Sequence, residues 1–382
     1  MKARFLHTSD FQIGMTRWFL QDTEDAQARF DAARIAAITR LGQIASEHQC
    51  DFIVVAGDVF EHNSISVKNR ERALAALSSL PVDVYLLPGN HDPLTADSIF
   101  YQAQALSGVR VIEDDAPMLV RPGLELVGAP WRSKAPGYDL VGRALAELAP
   151  TENIRVMVGH GQMDNFSNDI KPDLIDRATV EAALRAGTID YLALGDTHSA
   201  MCLSDTNAVW FSGAPEVTAF RELPTNMGEN NSGKALVVDV TKTGAAQAHV
   251  QVEEVQIGTW RFEALSAVVE SRADAEEFIR QVVAYPDKER TVLKYSLSGT
   301  VDVGTKQYLE AELAKMQPLF ANIYPRVRTM NLRTVVDEQD ISELELSGFM
   351  LSVVRELNAA EADDDAAADA LNLLFQLHNE VK

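Results

Sequence analysis

The stretch Phe52-Ile53-Val54-Val55-Ala56-Gly57-Asp58 decides the fold of this 382-residue chain. An apolar run rich in β-branched residues and stopped by glycine predicts a strand that is buried on both faces. Such strands are typical of parallel sheets that are covered by helices. Because sheets of this kind bind ligands beyond the carboxyl ends of their strands, Asp58 is predicted to lie at a binding site.

The same arrangement occurs four more times within the first 200 residues. Apolar runs also end just before Asp10-Phe11-Gln12, Gly89-Asn90-His91-Asp92, Gly159-His160 and Gly195-Asp196-Thr197-His198. A single Asp or His at a strand end is commonly a helix cap, a turn residue or a structural group. Five such blocks at five strand ends are hard to explain as five caps, so the sequence predicts one shared site.

The side chains in these blocks are the donors that hard divalent cations prefer. Asp58 follows the strongest predicted strand and is the natural bridge between two ions. The other predicted ligands divide between the ions as Asp10, Gln12 and His198 for one and Asn90, His160 and Asp196 for the other. Two ions about 4 Å apart can activate a water and clamp the phosphate that it attacks. His91 is predicted to contact that phosphate or to protonate the leaving oxygen.

The order D-x-(H/Q), GD, GNHD, GH and G-x-x-H resembles the calcineurin-like metallophosphoesterase superfamily. Three segments resemble its DNA-repair exonuclease branch, the SbcD nuclease subunit of the bacterial SbcC–SbcD complex: His7–Asp10, Ala56–Phe60 and Phe211–Glu216. The motifs cover about residues 1–240. The resemblance implies a four-layer α/β fold, in which helices flank a sandwich of two β-sheets, and a centre that holds two Mn²⁺ ions.

The resemblance also implies roles for single residues. The seven predicted ligands match the family's metal-binding positions, His91 matches its catalytic histidine, and Asp92 matches the group that orients this histidine. Gln12 and Asp196 depart from the family pattern, which normally has histidine at both positions. Both still offer an oxygen to a metal, so we predict an altered but retained site. Oxygen donors in place of imidazoles favour Mn²⁺ or Mg²⁺ over Zn²⁺.

Composition limits the partners of the chain. A net charge of −22 disfavours bulk electrostatic affinity for nucleic acid, so binding of DNA would require local basic patches or a basic partner. The sequence has no GxxxxGK[ST] run, so we expect no ATP site of the P-loop type. The absence of long apolar runs, of a signal peptide and of a disulfide framework predicts a cytoplasmic protein that does not span a membrane.

Three domains are predicted along the chain. Residues 1–257 form the phosphoesterase (nuclease) domain, in which Lys234–Val240 and His249–Ile257 are expected to close the second sheet. Residues 258–336 form a small α+β capping domain, which the resemblance implies contacts DNA. Residues 337–382 form an acidic segment with helices at 342–358 and 366–381. These helices either fold back on the body or dock onto a partner, which the resemblance implies is an SbcC-like coiled-coil ATPase. The resemblance also implies a homodimer.

The sequence therefore predicts a Mn²⁺-dependent phosphodiesterase that acts on DNA as an exonuclease or endonuclease subunit of a repair complex. Two alternatives stay open. The acidic charge and the two altered ligands motivate a phosphodiesterase or phosphatase that acts on small molecules such as nucleotides. A scaffold or regulatory subunit with a weakened metal site, acting through its C-terminal helices, is the other.

Overall fold

The computed structural model describes residues 1–21, 23, 25–164, 173–244, 247–335 and 348–360, together with 366, 367 and 370. The chain forms two compact units. The first consists of Met1–Arg221 and Met227–Arg261, and the second of Glu222–Asn226 and Phe262–Lys382. Apart from residues 366, 367 and 370, the helix predicted at 366–381 lies outside the described residues.

Nine α-helices lie in the described part of the chain. They are α1 (Trp18–Gln21), α2 (Ala26–Glu47), α3 (Val67–Ser78), α4 (Phe100–Ala103), α5 (Leu140–Ala146), α6 (Arg177–Ala186), α7 (Arg272–Val283), α8 (Val303–Met316) and α9 (Phe349–Ala360). None of these described helices is long and apolar enough to cross a bilayer.

The first sheet of unit 1 combines parallel and antiparallel strands. In chain order its strands are β1 (Lys2–Thr8), β2 (Phe52–Val55), β3 (Val84–Leu86), β4 (Val109–Val111), β13 (Lys234–Thr241) and β14 (His249–Gln256). The spatial order is β14-β13-β1-β2-β3-β4, with β1 to β4 parallel. The prediction that the last two segments close the second sheet is wrong. Instead, β13 pairs antiparallel with β1 and satisfies the backbone groups on its free edge.

The second sheet of unit 1 has a parallel centre. In chain order its strands are β5 (Met118–Arg121), β6 (Leu124–Gly128), β7 (Ile154–His160), β8 (Tyr191–Gly195), β9 (Met201–Cys202) and β10 (Val209–Phe211). The spatial order is β5-β6-β7-β8-β10-β9, and β6, β7, β8 and β10 run parallel. The carboxyl ends of β7 and β8 carry two of the five predicted blocks.

Alternating side chains of β1 join two hydrophobic cores. Phe5 belongs to a core that both sheets and the helices α5 and α6 share, whereas Leu6 belongs to a core between the first sheet and the helices α2 and α3. This alternation follows from the two-residue period of a strand. The resulting order of layers is helix, sheet, sheet, helix, so the predicted four-layer α/β fold is confirmed.

A fully buried ion pair joins the two sheets of unit 1, because Lys242 follows β13 and Asp190 precedes β8. The ammonium of Lys242 lies 3.0 Å from the carboxylate of Asp190 and donates to the carbonyl oxygens of Thr151 and Asn153 at 2.9 and 3.0 Å. Both charged side chains are at most 1% exposed. Every donor of Lys242 therefore has an acceptor, which a buried charge requires.

We expect Lys242→Met to lower the free energy of unfolding by about 3–5 kcal/mol, because it leaves the Asp190 carboxylate buried without its cation. Lys234→Met is the matched control, since Lys234 lies on the same hairpin in a partly exposed pair with Glu254. That control should lose less than about 1 kcal/mol. Urea denaturation measures both losses, and equal values would contradict the prediction.

Unit 2 is built on one long strand. Its main strands are β15 (Arg261–Val268), β16 (Thr291–Asp302), β17 (Asn322–Pro325) and β18 (Asn331–Val335). Two short strands, β11 (Arg221–Glu222) and β12 (Met227–Gly228), lie where the chain passes from one unit to the other. The apolar alternation of residues 324–332 predicts one strand, but a 3₁₀ turn at Val327–Thr329 divides the segment between β17 and β18. Both strands run parallel to β16 and pair with successive stretches of it.

Candidate metal centre

The predicted ligands meet where the parallel strands of unit 1 end. Asp10 follows β1, Asp58 follows β2 and His160 is the last residue of β7. All three side chains are buried, and their ligand atoms lie within 4.8 Å of one another. Burial raises the pKa of the Asp10 carboxyl to about 6, although His198 and His160 oppose this shift. Among the described residues, these three side chains are therefore the nucleus of a candidate metal centre.

The two oxygens of the Asp58 carboxylate face different predicted ligand sets. Oδ2 accepts a hydrogen bond from Nε2 of Gln12 at 3.0 Å. Oδ1 lies 3.4 Å from Nε2 of His160 and accepts the backbone N–H of His91 at 3.1 Å. One oxygen thus points toward the set that contains Gln12 and the other toward the set that contains His160. This is the arrangement that a bridging carboxylate requires.

The Nε2 atom of His160 is surrounded by oxygens. Nδ1 of the ring donates to the carbonyl of Ala56 at 2.8 Å, while Nε2 lies 2.8 Å from Oδ1 of Asn90 and 3.9 Å from Oδ1 of Asp196. Burial opposes a charge on this ring, but the carboxylates of Asp58, Asp10 and Asp196 raise the pKa of His160 well above its ordinary value. Acceptors that converge in this way are stabilised by a positive charge among them, either a proton or a metal ion.

Hydrogen bonds orient His198 toward Asp10. Its Nδ1 is hydrogen-bonded to the hydroxyl of Thr218, which donates in turn to the buried carboxylate of Glu229. With that hydroxyl donating to Glu229, the ring must donate from Nδ1, which leaves the lone pair on Nε2. Nε2 lies 3.7 Å from Oδ1 of Asp10. Thr218 and Glu229 therefore select the form of His198 that can ligate a metal.

Gln12 fits a metal ligand better than a structural amide. Its side chain is buried, its Nε2 donates to Asp58, and its Oε1 has no hydrogen-bond partner among the described residues. A buried polar atom without a partner costs about 1–3 kcal/mol. A hard cation at Oε1 would remove this cost, so the residues present fit a divalent ion on the side of Gln12.

Four of the seven predicted ligands have a left-handed backbone. The φ angles are 54° for Asp10, 49° for Gln12, 54° for Asp58 and 90° for Asp196. Residues with a side chain rarely adopt this conformation, and it recurs at functional sites. Backbone hydrogen bonds of 3.0 Å hold it here, from Asp10 N–H to Gly57 and from Gln12 N–H to Asp58.

Gly89 is required because its backbone passes very close to Asp58. A Cβ atom at this position would lie 2.2 Å from Oδ1 and 2.5 Å from the backbone nitrogen of Asp58. We expect Gly89→Ala to displace the Asp58 carboxylate and to weaken Mn²⁺ binding by about 100-fold. Calorimetric titration measures this loss. The control Gly304→Ala, at the start of α8, should bind Mn²⁺ as the wild type does, and unchanged binding by Gly89→Ala would contradict the prediction.

His91 lies at the rim of the centre, with its side chain 41% exposed. Its Nδ1 is 3.1 Å from the carbonyl oxygen of Glu61 and 3.9 Å from the carboxylate of the same residue. Donation from Nδ1 to Glu61 leaves Nε2 available to a substrate. Glu61 was not among the predicted site residues, although its place three residues after Asp58 puts it on the same loop.

Asp92, which is predicted to orient His91, is hydrogen-bonded to two backbone groups. Its two carboxylate oxygens accept the backbone N–H groups of Phe60 and Gly89, each at 2.8 Å. Burial, followed by the charge of Asp58, raises the pKa of Asp92 to about 8. In the described structure Asp92 therefore fastens the loop after β3 to the loop after β2, while Glu61 contacts the His91 ring.

Two arginines that were not among the predicted site residues hold the loops that flank the centre. Arg34 of α2 is buried and donates to the carbonyl oxygens of Phe11 and Val217 at 2.7 and 2.9 Å. Arg17 donates to the carbonyl oxygen of Thr218 at 2.8 and 3.0 Å. The loop after Asp10 and the loop that orients His198 are thus tied together. No local sequence signal reports such contacts, because the partners are far apart along the chain.

Comparison with known proteins places the chain in a family. Residues 3–200, more than half of the chain, match the calcineurin-like phosphoesterase family. Among solved structures, TT1561 of Thermus thermophilus is 9% identical, with a TM-score of 0.40, and the match covers 67% of this chain and 100% of that one. A dimetal phosphatase from Danio rerio is 10% identical, with a TM-score of 0.40 and coverage of 67% and 99%. No curated protein matches this chain.

The matched residues 3–200 contain all five blocks and the buried cluster of Asp10, Asp58 and His160. They begin in β1 and extend past the end of β8. This chain belongs to the calcineurin-like phosphoesterase family.

Proposed function

We propose that this chain is a two-metal phosphodiesterase that cleaves DNA, as SbcD-like nuclease subunits do. The observation that carries the two-metal part is the position of Asp58, whose two carboxylate oxygens face two separate ligand sets. The DNA part rests on the three segments that resemble the SbcD-like branch. A soft or purely structural metal site would not require such a set of carboxylate and amide oxygens.

Two groups of side chains would hold the ions. They are Asp10, Gln12, Asp58 and His198 for one ion, and Asp58, Asn90, His160 and Asp196 for the other. Divalent ions bound there supply an activated water and positive charge for the phosphoryl oxygens. We propose Mn²⁺, with Mg²⁺ as the alternative, because oxygen donors outnumber imidazoles in both groups.

In this proposal, His91 is either the general acid of the reaction or a hydrogen-bond donor to the phosphate. It is exposed at the rim, while its backbone N–H is hydrogen-bonded to Asp58 and its Nδ1 to Glu61. These bonds fix the ring beside the bridging carboxylate. Nε2 can then donate a proton to the leaving oxygen or a hydrogen bond to the phosphate.

Two of the branch-specific segments contact each other at a predicted ligand. The Ser9 hydroxyl donates to the Asp10 carboxylate and lies 2.7 Å from the hydroxyl of Ser212. Glu216, in the same later segment, accepts the backbone N–H groups of Thr259 and Trp260. Two of the segments that resemble the nuclease branch therefore meet beside Asp10, which supports the proposal.

Partners are part of the proposal. We propose that unit 2 contributes to binding of DNA and that the C-terminal helices dock onto an SbcC-like ATPase. Phe349 and Met350 of α9 are 80% and 48% exposed, and such apolar side chains suit helix-in-groove docking. We further propose a homodimer, on the resemblance alone.

Hydrolysis assays on the full chain with Mn²⁺ test the function. Linear duplex DNA and bis(p-nitrophenyl) phosphate are offered separately, with the His91→Ala variant as the inactive control. The proposal predicts cleavage of both substrates and loss of both activities in the variant. Hydrolysis of small esters without cleavage of DNA would favour the small-molecule alternative. Metal binding without any hydrolysis would favour the scaffold.

A further inference from the structure

We infer that Gln162 is a positioning residue that holds the Asp196 carboxylate in the second ligand set. The inference rests on the proposed two-metal centre. It concerns one of the two positions at which this chain departs from its family. Gln162 lies two residues after His160 on the connection that leaves β7.

One carboxylate oxygen of Asp196 accepts a hydrogen bond from Gln162, and the other faces the metal centre. Nε2 of Gln162 donates to Oδ2 of Asp196 and lies 3.1 Å from the hydroxyl oxygen of Thr197. Oδ1 of Asp196 lies on the side of His160, 3.9 Å from its Nε2. The amide therefore determines which oxygen points toward the ion.

The backbones on both sides of this contact are fixed. The N–H of Ile175 donates to the carbonyl of Gln162 at 2.9 Å, and the N–H of Gly161 donates to the carbonyl of Gly195 at 3.3 Å. The N–H of Asp196 donates to both carboxylate oxygens of Asp10 at 3.2 Å. Gln162 therefore donates its hydrogen bond to Asp196 from a backbone position that is itself held by hydrogen bonds.

Asp196 needs such a partner because of its length and exposure. A carboxylate is shorter than the imidazole that the family normally has at this position, and the Asp196 side chain is 24% exposed to water. A partly solvated carboxylate loses rotational freedom when it binds an ion, and a hydrogen bond that already orients it reduces this loss. A neutral amide orients the carboxylate without cancelling its charge, which a lysine or arginine would do.

A double-mutant cycle tests this inference by Mn²⁺ affinity. The proteins are the full-length wild type, Gln162→Ala, Asp196→His and the double variant, titrated by calorimetry after removal of metal with a chelator. We expect Gln162→Ala to lower the affinity for one of the two Mn²⁺ ions by about 10- to 100-fold and to leave the affinity for the other unchanged. In the Asp196→His background the same substitution should have no effect, because the carboxylate that it positions is gone.

Two further variants make the result specific. Gln256→Ala removes a comparable amide on β14, which donates to the carbonyl of Gly258, and should leave both affinities unchanged. Gln162→Asn keeps the amide on a shorter side chain and should restore part of the affinity. Thermal unfolding of the metal-free proteins reports any general loss of stability.

The outcomes separate this inference from the proposed function. Two wild-type ions with unchanged binding by Gln162→Ala would overturn the role of Gln162 alone. Equal weakening in both backgrounds would also overturn it, and would show that Gln162 acts as a ligand or through the fold. A wild type that binds fewer than two ions would overturn both the centre and the inference.

Discussion

Asp58→Ala is expected to abolish binding of both ions and to lower phosphodiester hydrolysis by about 10³-fold or more. The reason is geometric, because the Asp58 carboxylate contacts Gln12 through one oxygen and His160 through the other. Its loss removes an oxygen from each ligand set. It also removes the acceptor for the backbone N–H of His91.

Metal analysis of the dialysed protein and initial rates on bis(p-nitrophenyl) phosphate measure the two losses. Asp51→Ala is the matched control, since Asp51 precedes the same strand and pairs with Arg121 at the surface. The control should keep both ions and full activity. An Asp58→Ala protein that still binds two ions would contradict the bridging role.

His91→Ala is expected to lower turnover by about 10²- to 10⁴-fold while metal binding stays largely intact. The His91 ring is bonded to Glu61 and lies at the rim, outside the two ligand sets. Its removal therefore takes away an acid or a phosphate contact without taking away a ligand. Glu61→Gln should give a smaller loss of turnover, because the carbonyl of residue 61 still holds the ring.

Turnover and Mn²⁺ affinity are measured on the same preparations of these variants. His62→Ala is the control, because His62 lies on the neighbouring loop and its Nδ1 accepts the backbone N–H of Ser64. It should retain wild-type turnover. Unchanged turnover in His91→Ala would remove His91 from the chemistry, and loss of metal would make it a ligand.

Local pattern predicted most of the elements of this fold. The spacing of apolar residues over 26–48 predicts a helix, and α2 ends one residue earlier, while the pattern over 303–316 predicts α8 with its observed bounds. Asp176 and Gly187 mark the two ends of α6 as an N-cap and a left-handed C-cap. Both signals are local, so a single sequence contains them.

Pairings between distant segments were predicted less well. The strands β13 and β14 were recognised, but they were assigned to the wrong sheet. Strand periodicity reports which face is buried and not which neighbour is paired. The register of β13 against β1 connects residues more than 200 positions apart, which no local pattern encodes.

In the candidate site, too, local sequence signals could be predicted and contacts between distant segments could not. The seven predicted ligands were proposed because each comes at or just after the end of an apolar run in the sequence. The groups that orient these side chains could not be predicted. Glu229 acts on His198 through Thr218, and Arg34 of α2 donates to the backbone of Phe11 and Val217, so each contact joins distant parts of the chain. Left-handed φ angles at Asp10 and Asp58 are likewise a consequence of tertiary packing.

Electron paramagnetic resonance of the wild-type protein with two equivalents of Mn²⁺ tests the central claim most directly. If Asp58 bridges two ions, the spectrum will show a spin-coupled pair, and this coupling will be lost in Asp58→Ala. Two uncoupled Mn²⁺ signals, or one bound ion per chain at saturation, would contradict a dinuclear centre bridged by Asp58.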